Sequence, residues 1–149
     1  MQYRLKEAID AFSQKKAEIV KLVKFAQDEF ASAAKEFFDK NDWLESFSWE
    51  QYTDYFSDGD GCEFGARADT DELSVNGKAP GGQDWYCYGD GTKAEVSNKL
   101  DRQKIKTSEE ISAFIDSVGN DLLLEMFGDH KIITVTKEGV NISDHKEHY

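Results

Sequence analysis

From Leu5 onward, apolar residues recur every three or four positions: Leu5, Ile9, Phe12, Ile19, Val23, Ala26, Phe30, Ala33 and Phe37. In heptads, Leu5, Phe12, Ile19, Ala26 and Ala33 fall at d, and Ile9, Lys16, Val23, Phe30 and Phe37 at a. Lys16 is thus the single polar residue on the seam. Gly and Pro are absent from residues 1–58, and Ala, Lys, Glu and Gln fill the outer face. This spacing predicts a long helix over residues 1–40. At 1.5 Å per residue some 36 residues of it would extend roughly 54 Å, so it needs a partner along its length. Two arrangements meet that need. Either Ile9, Phe12, Ile19, Val23, Phe30 and Phe37 form the seam of a coiled coil with a second subunit, Lys16 specifying register, or the helix packs over the chain's own sheet. The seam leads to the expectation of a homo-oligomer.

A second helical pattern follows Thr107-Ser108-Glu109-Glu110, which has the form of a capping box. Ile111, Phe114, Ile115, Val118, Leu122 and Met126 recur at helical spacing, Gly119 sits within the run, and Gly128 is placed to end it. Gly119 inside a helix suggests close packing against a neighbour. Ile133 to Thr136 then alternates, Lys137-Glu138-Gly139 turns, and Val140 to Ile142 alternates again, which predicts a β-hairpin with Gly at a positive-φ position. The polar tail from Ser143 to Tyr149 is expected to fray, leaving His145 and His148 in solvent. His130, between helix and strand, has no identifiable catalytic partner.

The region between is the least regular. Trp49, Tyr52 and Tyr55/Phe56 suit either a short aromatic helix or an extended run leading into a strand over residues 62–66. Leu73-Ser-Val75-Asn76-Gly77 is the strongest short hairpin signal in the chain. Trp85-Tyr-Cys87-Tyr88 reads as a strand with aromatics on both faces, and residues 92–106 as a connecting helix or linker. The whole pattern is α+β: a long N-terminal helix open to coiled-coil pairing, a small mostly antiparallel sheet of four or five strands, a second amphipathic helix and a C-terminal β-hairpin. One domain of 149 residues holds all of it.

Charge sharpens this picture. The formal net charge is −12, from 18 basic and 30 acidic side chains. Residues 1–40 carry eight basic and seven acidic residues, residues 41–92 carry two and twelve, and residues 93–149 carry eight and eleven. Ten of nineteen aromatics, including all three tryptophans, lie in the acidic middle block. So negative a chain is a poor ligand for nucleic acid, whose binding draws on Lys and Arg. No run of about 18 apolar residues offers a membrane span, and no apolar stretch of a secretory signal follows Met1. Cys62 and Cys87 read as two reduced, partly buried thiols in neighbouring strands, with a single disulfide as the alternative. They lack the further ligands zinc requires. Asp58-Gly-Asp60-Gly, with Asp54 and Glu63 nearby, fails the EF-hand pattern because the sixth position is Glu63 rather than Gly. A tight turn is favoured there over a non-standard metal site. The pattern calls for no cofactor.

Phe47-Ser-Trp49-Glu-Gln51-Tyr52-Thr-Asp-Tyr55-Phe-Ser-Asp58-Gly-Asp60-Gly-Cys62-Glu63-Phe64 resembles a segment, F-x-W-x-Q-Y-T-x-Y-F-x-D-G-D-x-C-x-F, of small tailed-bacteriophage proteins, mostly without assigned function. It spans about eighteen residues of the chain. Pro is usual in those proteins where this chain has Asp54, and frequent where it has Gly61. The resemblance implies a phage origin and a host bacterial cytoplasm, and carries over no activity. No G-x-S-x-G, H-E-x-x-H, phosphate-loop or dinucleotide pattern is present, so an enzyme is not the expectation. Expected instead is a binding protein that inhibits or redirects a host factor, such as an anti-phage defence factor. Its acidic aromatic surface, formed by Trp49, Tyr52, Tyr55, Asp58, Asp60, Glu63, Trp85 and Tyr86, would meet a basic protein surface. The alternatives are a sponge for a small nucleotide-like ligand at a subunit interface, with Arg67, Lys78, Lys93 and Arg102 as phosphate contacts, and a structural or assembly component of the phage.

Overall fold

A computed structural model describes residues 2–54, 62–70, 72–77 and 98–145. Helix α1 spans Gln2–Lys40. Strands β1 (Ser46–Thr53), β2 (Phe64–Arg67) and β3 (Ser74–Val75) follow, then helices α2 (Asn98–Val118) and α3 (Asn120–Phe127), and strands β4 (Lys131–Thr136) and β5 (Gly139–Asp144). The five strands form one sheet in the order β2-β1-β4-β5, with β3 pairing β1 beyond β2, and every pairing is antiparallel. The α+β architecture is therefore the one the pattern predicts.

β1 is the centre of the sheet, and its alternation sets what each face carries. Phe47, Trp49 and Gln51 point to the helices and are buried, whereas Ser48, Glu50 and Tyr52 point away. The run from Phe47 to Thr53 is extended, so the alternative of a short aromatic helix does not hold there. Opposite it, Ile133 faces Trp49 and Val135 faces Phe47 across the β1–β4 ladder. Phe30, Ala34 and Phe38 of α1 cover this inner face at four-residue intervals, with Ile111 and Ile115 of α2 and Leu123, Met126 and Phe127 of α3. Phe30 lies 5.0 Å from Phe114, 5.3 Å from Phe127 and 6.0 Å from Trp49, centroid to centroid. Edge-on and offset contacts of this kind add to the area term.

Asn76 closes the entry to β1. Asn76 and Gly77 both take positive φ, 52° and 82°, the requirement of the tight turn that Asn-Gly signals. The Asn76 Oδ1 accepts from the N–H groups of Glu45 (2.7 Å) and Ser46 (3.1 Å), and Nδ2 donates to the Trp43 carbonyl. The strand expected after this turn, Trp85 to Tyr88, lies outside the described residues.

Three expectations about the helical segment need correction. Thr107 does not start a helix: α2 runs through it. Its hydroxyl meets Asn41 Oδ1 at 3.5 Å, while Ser108 bonds back to the Lys104 carbonyl at 2.8 Å. Both hydroxyls thus serve interior partners instead of free N–H groups, and no Gly or Pro between 98 and 107 stops the helix earlier. Gly119 is a break rather than a mid-helix residue, with φ +88° ending α2 and opening α3. Nor does it mark close packing, since a Cβ there would meet nothing within 4 Å. Gly128 ends α3 as expected, at φ +94°, its N–H donating to the Leu124 carbonyl. The β4–β5 hairpin forms with Gly139 at φ +145°.

The tail is ordered further than its polarity suggests. Ser143 and Asp144 belong to β5, and the His145 N–H donates to the His130 carbonyl at 2.8 Å. The His145 side chain is only 14% exposed. His148 lies outside the described residues. Among the described residues, no helix is long and apolar enough to cross a membrane.

Candidate functional site

Helices cover one face of the sheet, and no described element covers the other. Antiparallel register assembles that open face from residues distant in sequence. Glu50 stands opposite Arg67 and Ile132, and Tyr52 opposite Gly65. The Asp54 N–H reaches the Glu63 carbonyl, which continues the β1–β2 ladder one pair further. Glu50, Tyr52, Asp54, Glu63 and Arg67 therefore share one side by strand alternation. A shallow depression of about 390 Å³ beside them is lined by Ser48, Trp49, Glu50, Arg67, Glu72, Ser74 and Ile132.

Tyr52 is the hub of this face. The His145 ring stacks on it at 4.7 Å and 13°, and the Arg67 guanidinium carbon lies 4.9 Å from the same ring centre. Arg67 donates from Nη2 to Asp54 Oδ1, and His145 Nε2 lies 3.2 Å from Glu50 Oε2. Burial opposes the Arg67 charge, but the Tyr52 hydroxyl and the Asp54 carboxylate outweigh it and raise the pKa above the ordinary arginine value. Arg67 thus stays charged and paired. Among the described residues this face sets Glu50, Asp54, Glu63 and Glu72 against Arg67 and His145, so acidic side chains outnumber basic ones. Arg67 Nε and His145 Nδ1 are buried with no hydrogen-bond partner among the described residues. Unfilled positions of this type cost about 1–3 kcal/mol each.

Of the surface residues expected from sequence, Tyr52 and Glu63 lie on the open face. Trp49 does not: it is 1% exposed, and its Nε1 donates to Gln51 Oε1 inside the core. The reason is strand parity, which sends Trp49 and Tyr52 to opposite sides. Tyr55, Asp58, Asp60, Trp85 and Tyr86 lie outside the described residues, as do Cys87, Lys78, Lys93 and the Asp58-Gly-Asp60-Gly turn. Cys62 is a free, exposed thiol outside any strand, not a partly buried one. Among the described residues, no three His, Cys, Asp or Glu side chains are grouped to hold a metal ion. Sequence reasoning missed Arg67 and His145 as members of this face. Only the register that sets residue 67 beside 50 and residue 145 beside 130 brings them in.

The seam of α1 divides in two. Val23 and Phe37 pack against the core and Phe30 is buried in it, so these three belong to the chain's own fold and not to a subunit seam. Ile9, Phe12 and Ile19 are exposed, Phe12 at 69%, together with Leu5 and Val20. Burying a large apolar side chain fully is worth about 1.5–3 kcal/mol, so this stripe leaves several kcal/mol unrealised in the monomer. An isolated helix of twenty residues is itself only marginally stable in water. The C-terminal half of α1 therefore takes the arrangement in which the helix packs over the chain's own sheet, and the N-terminal half leaves its apolar stripe exposed.

No protein-family model, curated protein or solved structure matches the chain.

Proposed function

We propose that the chain is a non-enzymatic, phage-encoded binding protein whose open, acidic sheet face engages a basic surface on a host protein and so inhibits or redirects it. The observation that carries this reading is the excess of acidic side chains, Glu50, Asp54, Glu63 and Glu72, over Arg67 and His145 on a face that no described element covers. Aromatic hubs ringed by charge anchor interfaces, and charge surplus of one sign steers encounter with a partner of the other. The phage-like segment supports the origin and the host setting.

The nucleotide-sponge alternative gains nothing from the described residues. Trp49 is not available to stack a base, and Arg67 already serves Asp54. The test of the leading reading is retention of host proteins by the immobilised chain at low and high salt, beside a Glu50→Lys/Glu63→Lys/Glu72→Lys variant. Retention that salt and the variant both abolish supports the acidic face as the site.

A further inference from the structure

Independently of what the acidic face binds, we infer that the projecting half of α1 pairs antiparallel with the same segment of a second copy. The first observation is azimuth. At about 100° per residue, Leu5, Ile9, Phe12 and Ile19 lie on the same side of the helix as Phe30, Ala34 and Phe37, which the core covers. The exposed stripe therefore looks toward the side on which the folded head sits. Beside the head is a step at least one packed layer deep, on the order of 10 Å, which is the spacing at which one helix packs on another.

That step selects its occupant. A flat surface such as a bilayer meets the head before it meets the stripe. A parallel pair facing through its stripes would drive two heads into the same space, since each head lies on the stripe side at the same end. An antiparallel pair sets the heads at opposite ends and fills each step with the other arm. In the exposed half, Leu5, Ile9, Phe12 and Ile19 keep the seven-residue a/d spacing of a helix paired with a helix, with Lys16 the single polar position. Opposing a with d places Ile9 against Ile19 of the second copy and Phe12 against Lys16, while Leu5 reaches the point where Val23 turns into the second head. The Lys16 stem can lie along the Phe12 ring with its ammonium in solvent. Tyr3, Leu22 and Phe25 are also exposed but lie off this stripe.

Charge gives the pairing a signature. The twofold axis falls near residue 14, so Lys15 faces Lys15 and the two Lys16 side chains lie about one turn apart. Lys15 is offset only by Glu18, in an exposed contact of 3.4 Å. Such a pair tightens as salt screens the lysines, whereas an acidic partner on this basic-centred stripe would be lost.

The test is sedimentation equilibrium of the full chain, with cysteine trapping. A dimer whose dissociation constant falls several-fold between about 50 and about 500 mM salt, as the Debye length shrinks from about 14 to about 4 Å, is the expected result. Phe12→Asp should give a monomer with the near-ultraviolet signal of buried Trp49 unchanged. In a Cys62→Ser/Cys87→Ser background, Ile9→Cys and Ile19→Cys chains oxidised with diamide should cross-link when mixed and not when alone. Cross-linking of either chain alone would establish a parallel pair and overturn the inference. A wild-type chain that stays monomeric with a folded head would overturn it equally, with no need of the cysteine variants.

Discussion

The indole N–H of Trp49 donates to the side-chain oxygen of Gln51 across 3.0 Å, two residues along the same strand and wholly inside the core. Gln51 spends its amide hydrogens on the carbonyls of Leu123 (3.0 Å) and Gly128 (2.8 Å). One buried amide therefore fastens the central strand to both ends of the last turn of α3. Gln51→Leu would strand the Trp49 donor and both carbonyls. The expected loss is about 2–4 kcal/mol, read from urea midpoints, because each buried unpaired group costs about 1–3 kcal/mol. Trp49→Phe should cost less than Gln51→Leu, since it frees a single acceptor.

Asp129 holds the turn between α3 and β4 against the end of β1. Its Oδ1 accepts from the Thr53 N–H at 2.8 Å and the His130 N–H at 2.9 Å, and its Oδ2 accepts from the Thr53 hydroxyl at 2.7 Å. Burial raises the carboxyl pKa, but these bonds and His130 outweigh it and hold it below the ordinary value of 3.8. With the folded pKa depressed, the stabilisation is complete above the unfolded value and is lost as pH falls through the folded one. Unfolding midpoints followed from pH 6 to pH 2 should fall more steeply for the wild type than for Asp129→Asn. Asp144, lowered by Lys131 through a hydrogen bond and charge, acts with the same sign on the exposed edge strand.

Gly119 separates α2 from α3 through its φ of +88° alone, with open space where a Cβ would stand. Gly119→Ala should cost about 1–3 kcal/mol, because φ +88° with ψ 147° is a backbone region essentially confined to glycine, and Gly119→Val more. Thermal unfolding of the two variants checks that order. A Gly119→Ala protein as stable as the wild type would contradict the conformational role.

The period of α1 was fully legible in its sequence, and so was the C-terminal hairpin with Gly139 at its turn. The point where α1 passes from arm to core was not, because Leu5 and Phe12 sit on the same azimuth as Phe30 and Phe37. A stripe shows that something covers it, not what. In β1, Gln51 at a buried position interrupts the alternation that Phe47 and Trp49 begin, which is why Trp49 looked available as a surface aromatic. Thr107 copied a helix start because a Ser/Thr hydroxyl satisfies an interior carbonyl as readily as a free N–H. Arg67, read as a phosphate contact, and His145, read as part of a frayed tail, carried no local signal for the place they take. Strand register alone makes them neighbours of Tyr52.

The open face is most directly tested by capture of host protein on the immobilised wild-type chain at about 50 and about 500 mM salt, where the Debye length is about 14 and about 4 Å, beside Glu50→Lys/Glu63→Lys/Glu72→Lys. The expected result is a protein of basic surface that is retained at the lower salt, released at the higher, and absent from the variant at both. A partner held equally at both ionic strengths and by both proteins would contradict an acidic recognition face.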